Sequence, residues 1–245
     1  MKADPGQQAT LLDLQALDTR LSQIAHARTT IPQLAEIADL EGKASLLDDQ
    51  LVRSRTELGD VQRELIKAES DVQQVRDRAT RDQQRLDSGV GTAKDLTAIQ
   101  HELESLGRRQ AELEEVELEV MERVEAIQSD VAELERGRSE LTERLTRLES
   151  ERDARLAELD TDEAQVSAPR GELVSGAGEA LVALYDKIRA TSGTGAAALR
   201  QRRCGGCQLE LNPVALREIK AAPEDEVLRC EECRRILVRT PESGL

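Results

Sequence analysis

The chain has 245 residues, with no phenylalanine, no tryptophan and a single tyrosine, Tyr185, while Asp, Glu, Lys and Arg make up 34% of it. Aromatic side chains supply much of the core energy of globular domains, so this composition argues against an ordinary globule. Abundant charge combined with Leu and Ala is typical of coiled coils. A two-helix seam needs only aliphatic side chains, which accounts for the missing aromatics.

The net charge of −15 is distributed unevenly along the chain. Residues 196–245 contain nine basic and eight acidic residues, so the first 195 residues carry −16. An acidic surface repels nucleic acid and membranes unless a local basic face is present. No apolar run approaches the roughly 20 residues of a membrane span, and the N-terminus is polar. We therefore expect a cytoplasmic protein that makes no membrane contact.

The first apolar repeat predicts a helix that is interrupted near residues 29–32. Its members alternate at spacings of three and four, which is the coiled-coil pattern. The repeat stops at Pro32, where proline removes a helical hydrogen bond and clashes with the preceding turn. The apolar residues of this repeat are Leu14, Leu17, Leu21, Ile24 and Ile31.

Two longer repeats follow, separated by Ser88-Gly89-Val90-Gly91. The second repeat recurs every seven residues from Ile37 to Leu86, and the third runs from Leu96 to Leu159. From residue 93 to 159 a helix would be about 100 Å long, which matches the summed arms before the glycines. We predict an antiparallel coiled-coil hairpin over residues 1–160 with its turn near 88–92. The alternative, a parallel dimer of straight rods, would carry a helix through two glycines.

The position of the turn also predicts a register for the hairpin. With the turn centred on Gly89, Leu65 faces Leu113 and Val72 faces Leu106 across the seam. These pairs are equidistant from the turn and bring an a position against a d position. A shift by one layer would also bury leucines, so this register is a hypothesis.

Composition changes again over residues 161–195, which we assign to a short helix and a linker. Pro169 and three nearby glycines interrupt helical patterning, and residues 179–189 can form one short helix. Residues 192–195 carry a linker signal and are expected to act as a hinge. Residues 196–245 are expected to be a small module whose folding depends on metal and not on the rod.

The four cysteines of that module form two pairs, Cys204-Gly-Gly-Cys207 and Cys230-Glu-Glu-Cys233. Each two-residue gap forms a tight knuckle that directs two sulfurs at one ion, and four thiolates make the tetrahedral set of a closed structural zinc site. We predict one structural Zn²⁺. The alternatives are two disulfides, a redox C-x-x-C and an iron–sulfur cluster. An oxidising compartment and a βαβ context, which the first two require, have no support in the sequence.

Nine basic residues surround the cysteines and are candidates for contact with nucleic acid or a partner. Seven of the eight acidic residues in the same module, together with the charge of about −2 on zinc bound by four thiolates, oppose a basic face. Aromatic side chains for stacking bases are absent. The nine basic residues are Arg200, Arg202, Arg203, Arg217, Lys220, Arg229, Arg234, Arg235 and Arg239.

The sequence contains no recognisable catalytic constellation. Its two histidines, His26 and His101, fall at outward heptad positions, and a site closed by four cysteines keeps no open position for a reacting water. No nucleophile–base pair or phosphate loop is found. We expect a binding protein with no catalytic residue and no small-molecule substrate.

Nearly the whole chain resembles the bacterial C4-type zinc-ribbon coiled-coil family that includes flagellar regulators and sigma-factor-binding proteins. The resemblance depends on Lys94-Asp95-Leu96-Thr97-Ala98-Ile99, on Tyr185-Asp-Lys-Ile188-Arg189 and on the two knuckles with Leu209, Leu211 and Pro213. Two departures stand out. The family has Lys-Glu-Tyr at Lys94-Asp95-Leu96, and Cys-Pro-x-Cys-Gly-Arg where this chain has Cys230-Glu-Glu-Cys233-Arg-Arg.

This resemblance implies a mainly α fold, with a long antiparallel coiled-coil hairpin and a small β-containing zinc ribbon of the four-cysteine type at the C-terminus. It also implies a protein partner, a sigma factor among the candidates, and contact with RNA. The first functional hypothesis is a zinc-binding adaptor that contacts a protein through the coiled coil and the ribbon, in transcription or RNA handling. The alternative is a ribbon that binds RNA or DNA and is held on a coiled-coil spacer.

Overall fold

The first two helices meet at a proline-marked break. The structure, a computed structural model, describes all residues from Met1 to Leu245. Helix α1 spans Pro5–Thr29 and helix α2 spans Pro32–Asp87. Thr30 closes α1 with its amide on the Ala27 carbonyl at 3.3 Å, and Pro32 opens α2, at the end of a helix where its missing N–H is tolerated. The break predicted near residues 29–32 is confirmed.

A glycine turn joins α2 to the next helix. Helix α3 spans Ala93–Ser167 and begins with a reciprocal cap, in which the Asp95 carboxylate accepts from the Thr92 amide at 3.0 Å and the Thr92 hydroxyl accepts from the Asp95 amide at 3.2 Å. Gly89 has φ +64° and Gly91 has φ +142°, conformations that residues with a Cβ rarely adopt. The turn predicted near residues 88–92 is confirmed.

The chain divides into two compact units, and the hairpin unit is Ala35–Glu149. Its seam is aliphatic, as the composition requires. In one seam cluster Val61, Val120 and Val124 are buried, with Leu58, Leu65 and Ile127 packed against them. The separation in sequence across the hairpin falls from 80 residues for the Arg55–Glu135 ion pair to 38 for the Arg76–Glu114 pair, which is nearer the turn. This decrease is the signature of antiparallel helices.

The register of the hairpin differs from the predicted one. Leu65 lies in the cluster with Val120 and Val124, so its predicted pairing with Leu113 is wrong by one heptad. An ion pair between Glu64 and Arg123, 2.9 Å apart, agrees with this register. Repeated aliphatic layers have nearly equal energy when shifted by seven residues, so ion pairs and the turn select among them.

The second compact unit, here called the terminal unit, contains Met1–Leu34 and Ser150–Leu245. After α3 ends at Ser167, helix α4 spans Arg170–Ala177 and helix α5 spans Glu179–Ser192. Both pack on α1. The units therefore do not follow the sequence boundaries at 160 and 195, because α1 packs with the C-terminal part of the chain.

A buried apolar cluster holds the terminal unit together. Leu11, Leu14, Ala177 and Tyr185 are each fully buried and belong to one cluster that also includes strand residues from the C-terminal module. Tyr185, the only aromatic side chain, is the largest fully buried residue. Burial of an aromatic ring contributes a large share of apolar area at such a junction.

The C-terminal module is a four-stranded sheet with one helix. The strand order is β2-β1-β4-β3, with β1 parallel to β4 and the other pairs antiparallel. Helix α6 begins at Pro213 with Asn212 as its N-cap, whose side chain accepts from two amides. A small core that includes Leu199, Leu211 and Leu237 lies beside the cysteines. The elements are β1 Ala196–Arg200, β2 Arg203–Cys204, α6 Pro213–Ala221, β3 Leu228–Arg229 and β4 Ile236–Val238.

The expected fold class, a mainly α hairpin with a small β-containing ribbon that carries four clustered cysteines, is confirmed by this architecture. None of the six helices combines the length and the apolar character that a membrane span needs.

Candidate metal centre

Two backbone knuckles position the four cysteines. The Cys204 carbonyl accepts from the Gln208 amide at 2.7 Å, and the Cys230 carbonyl accepts from the Arg234 amide at 2.9 Å. Gly205 is needed at the first knuckle, because a Cβ there would lie 2.9 Å from the Ala198 carbonyl oxygen. The local sequence therefore folds each C-x-x-C pair back on itself and directs its thiols to one side.

The four cysteine sulfurs lie close enough together to bind a single ion. All four lie within 4.8 Å of one another, with 3.7 Å between Cys204 and Cys233 and 3.9 Å between Cys207 and Cys230. A disulfide has its sulfurs about 2.05 Å apart, and none of the four is disulfide-bonded. Tetrahedral zinc with Zn–S bonds of about 2.3 Å separates its sulfurs by roughly 3.8 Å. The donor set therefore fits a closed site for one structural Zn²⁺.

The thiols have unequal pKa values before any metal binds. Burial raises the pKa of Cys204, and it raises the pKa of Cys230 to about 12. At Cys233 burial is the largest influence and acts in the same direction, but hydrogen bonds from the Arg235 backbone and side chain and from the Cys230 and Cys204 thiols together outweigh it and lower the pKa to about 7. Zinc takes thiolates as ligands, so its binding must displace protons and weaken as the pH falls.

Two family models match the chain, a CT398-like coiled coil hairpin domain over residues 14–193 and a C4-type zinc ribbon domain over residues 203–237. The chain belongs to the CT398-like coiled-coil hairpin family. The match to the ribbon model covers all four cysteines, in agreement with their geometry. The resemblance seen in the knuckles and in the motifs at Lys94 and Tyr185, to a family that joins a coiled coil to a four-cysteine zinc ribbon, is thus confirmed.

Members of this family with similar sequences include an uncharacterized protein of Mycobacterium tuberculosis strain H37Rv. It is 39% identical over 98% of this chain and 98% of its own length. A solved structure from Mycobacterium smegmatis is 40% identical, covers 98% of this chain and 100% of its own, and has a TM-score of 0.85. The structure of CT398 from Chlamydia trachomatis is 16% identical over 96% and 98% of the two chains, with a TM-score of 0.68. That last similarity concerns the fold alone.

Two of the nine candidate basic residues hold the ribbon together. The Arg239 guanidinium donates to a series of carbonyls at the end of α6 and after it, including those of Ala222 at 2.9 Å and Glu224 at 3.0 Å. The Arg235 guanidinium donates to the Ser192 carbonyl at 3.0 Å and to the Thr194 hydroxyl. Their donors are directed inward, so these two arginines contribute to the fold of the terminal unit.

The other seven basic residues are exposed, in different settings. Arg200 pairs with Glu242 at 3.4 Å, and Arg202 donates to the Gly244 carbonyl at 3.1 Å. All of them except Arg200 have no carboxylate within salt-bridge distance. These six lie on different elements, among them Arg203 on β2, Lys220 on α6 and Arg234 in the second knuckle. The structure therefore does not gather the nine residues into one basic face.

A buried charged network that the sequence did not predict links α1 to the helices before the ribbon. Asp18 is 1% exposed and accepts from the Tyr185 hydroxyl at 3.0 Å and from Arg170 at 3.1 Å, and Arg189 lies 3.3 Å away. Asp18 lies one position after Leu17 in the first heptad repeat. An acidic residue at such a position normally faces solvent on the flank of the helix. The one signal was Tyr185 itself, since a buried tyrosine hydroxyl requires a partner.

Proposed function

We propose that this chain is a zinc-stabilised adaptor that binds a protein partner in transcription or RNA handling and has no catalytic activity. The observation that carries the proposal is the closed metal centre. Four cysteine sulfurs occupy the tetrahedral set, so no position remains for a substrate or a reacting water. His26 and His101 are exposed on helices, away from any cleft that could use them as bases.

The hairpin supplies a surface suited to a partner, and two ion pairs define it. Arg55 pairs with Glu135, and Arg76 pairs with Glu114, each at 2.6 Å. With Ile37 and Leu96 taken as a positions of their repeats, all four residues occupy heptad position e. They therefore mark one flank along which both helices are accessible.

Between these ion pairs the flank carries three exposed apolar side chains. Ile66 is 65% exposed, Leu118 is 60% exposed and Met121 is 39% exposed. Their heptad positions, b and e, place them on the flank marked by the ion pairs. Grouped apolar side chains on a charged rod favour a protein partner. The sequence resemblance makes a sigma factor the first candidate for that partner.

The test is an affinity capture from the native cell with the full-length, zinc-loaded chain after nuclease treatment. We expect a stoichiometric protein that is retained by the wild type and by Leu46→Ser. It should be lost with the double substitution Ile66→Ser and Leu118→Ser. Leu46 is the matched control, because it is 65% exposed but occupies the outward heptad position c. Recovery that nuclease abolishes would contradict the adaptor proposal.

A second candidate function, binding of nucleic acid by the ribbon, is favoured by one surface depression. Arg202, Arg217 and Lys220 line a concavity of about 380 Å³ whose wall includes Leu216 and no acidic side chain. If single-stranded RNA binds there, affinity should fall with salt by about 0.7 logarithmic units for each phosphate contact and decade of salt. Arg217→Gln should reduce that slope, whereas Arg200→Gln, at a cation already paired with a carboxylate, should not. An unchanged slope would exclude this site.

A further inference from the structure

A second basic concavity lies between α5 and the second cysteine knuckle. Its volume is about 220 Å³, and Lys187, Arg229 and Arg234 contribute three cations to its lining, with no acidic side chain. Its remaining lining residues are Leu184, Ile188, Thr191, Ser192 and Cys233. We call this concavity the knuckle groove.

Arg234 adopts a backbone conformation that disfavours its own side chain. Its φ is +62°, in the left-handed region where any residue with a Cβ loses roughly 1–2 kcal/mol relative to glycine. The hydrogen bond from the Arg234 amide to the Cys230 carbonyl is part of the knuckle, so the metal site fixes this conformation. Strain of this kind is retained where surrounding structure imposes it, and it clusters at functional positions. The exposed guanidinium lines the knuckle groove, which gives the strained arginine a role that glycine lacks.

The walls of the knuckle groove are held in place. The Arg229 Nε donates to the Arg234 carbonyl at 2.9 Å, which directs one arginine along the knuckle. On the opposite side, the Ser192 hydroxyl bonds to the Ile188 carbonyl at 3.0 Å and to the Thr194 carbonyl at 2.7 Å. Ordered walls reduce the entropy lost on binding.

The positive charge of the knuckle groove is local. Glu231 and Glu232 lie in the same knuckle, Asp186 precedes Lys187 on α5, and zinc bound by four thiolates adds about −2. A polyphosphate backbone needs a continuous basic track, and stacking aromatics are absent. Leu184 and the buried Ile188 add an apolar floor. A short segment with one or two carboxylates beside an apolar side chain matches this combination better than a nucleic acid.

We infer that the knuckle groove binds an acidic segment of a protein partner. Its carboxylates lie against Lys187, Arg229 and Arg234, and its apolar side chain packs on Leu184 and Ile188. This inference rests on the proposed adaptor function and adds the chemistry of the partner at the ribbon end. The hairpin flank and the knuckle groove are then separate contact surfaces.

The test uses fluorescent helical peptides of Leu and Glu, matched peptides with Gln in place of Glu, and a single-stranded RNA, each titrated into the full-length zinc-loaded chain. The acidic peptides should bind and the Gln peptides should not. Lys187→Gln and Arg234→Gly should each weaken binding about fivefold, as expected for one partly exposed ion pair. Arg203→Gln, which removes an exposed cation on β2, should leave binding unchanged. Arg234→Gly relieves the strained φ, so a melting temperature at or above that of the wild type excludes misfolding as the cause.

Three results would overturn the inference. They are the absence of binding by every acidic peptide, equal binding by the wild type and both groove variants, and RNA binding that depends on Lys187 and Arg234 when peptide binding does not. The adaptor proposal is tested independently of the knuckle groove. Cellular capture that still requires Ile66 and Leu118 would preserve it even if the knuckle groove proves inactive.

Discussion

At the scale of single residues, the junction between α5 and the ribbon depends on a glycine. A Cβ on Gly195 would lie 2.4 Å from Tyr185 Cδ2 and 2.6 Å from the Tyr185 carbonyl oxygen. The Gly195 amide also donates to the Gln15 side chain at 2.6 Å. Residues 192–195 have the composition of a flexible linker. Position 195 nevertheless requires glycine, because Tyr185 lies too close to its backbone to leave room for a Cβ. It is buried, which is the opposite of the hinge expected from sequence.

Gly195→Ala should therefore destabilise the chain by about 1–3 kcal/mol, the usual cost of forcing an extra methyl into a packed site. Gly107→Ala is the matched control. Gly107 is a helical glycine with nothing within 4 Å of a built Cβ, so the change should stabilise by about 1 kcal/mol. Chemical denaturation followed by circular dichroism measures both. Equal effects of the two substitutions would refute the close-packing argument.

The ionisation of Tyr185 predicts how the stability of the fold depends on pH. Burial, and then the charge of Asp18, raise the pKa of Tyr185 well above its ordinary value of 10. The neutral phenol is favoured in the folded state, so its contribution is complete below pH 10 and is lost as the pH rises toward the folded pKa. Tyr185 is the only tyrosine, so tyrosinate absorbance reports it directly. We expect the Tyr185 phenol to stay neutral near pH 10 for as long as the chain is folded. Tyr185→Phe should lose less stability than the wild type as the pH becomes alkaline.

At the scale of elements, heptad spacing and the positions of proline, glycine and cysteine were sufficient to predict most of the fold. The break at Pro32, the turn at Gly89 and the metal knuckles are local features, and local sequence was sufficient for them. Helix α4 was missed because Gly171 and Gly176 lower its intrinsic propensity. Packing compensates for this loss. Ala177 is fully buried against α1, and the Cβ position of Gly176 is 3.7 Å from Thr10.

The register of the hairpin could not be predicted from local sequence, because aliphatic layers shifted by one heptad bury similar side chains. The register can, however, be measured. Cysteines placed at Leu65 and Val120 should form a disulfide within one chain, since these positions belong to the same seam cluster. Cysteines at Leu65 and Leu113 should not, because their heights along the seam differ by about 10 Å. Mass spectrometry after mild oxidation of the zinc-loaded variants distinguishes the two pairs. Cross-links that join different chains would instead support a parallel dimer.

At the scale of the whole molecule, the two ends of the chain complete one fold. The Ala3 amide donates to the Asp225 carbonyl at 2.8 Å, and the Val227 amide donates to the Met1 carbonyl at 3.0 Å. The Lys2 ammonium pairs with the Asp225 carboxylate at 2.8 Å, across 223 positions of sequence. No periodicity or motif in the first residues indicates contacts at such a separation. The ribbon was therefore expected to fold apart from the helices, whereas it shares a core with α1.

This shared fold changes what metal removal should do. A chelator should unfold the ribbon, because so small a module depends on the ion for its folding free energy. The effect should extend to α1, since Gln15 then loses the Gly195 amide and residues 1–3 lose their backbone hydrogen bonds to Asp225 and Val227. The hairpin unit, Ala35–Glu149, has its own aliphatic seam and no zinc ligand, so its protection should persist.

Hydrogen exchange read by mass spectrometry can separate these regions in one experiment. After chelation, or in Cys230→Ser, peptides from the first half of α1 and from residues 196–245 should exchange faster by orders of magnitude. Peptides around Val61 and Val124 should keep their rates, and helical circular dichroism should fall only modestly. Full protection of α1 in the metal-free chain would mean that α4 and α5 hold it without the ribbon. Loss of protection throughout the hairpin would mean that zinc controls the cooperative folding of the entire chain.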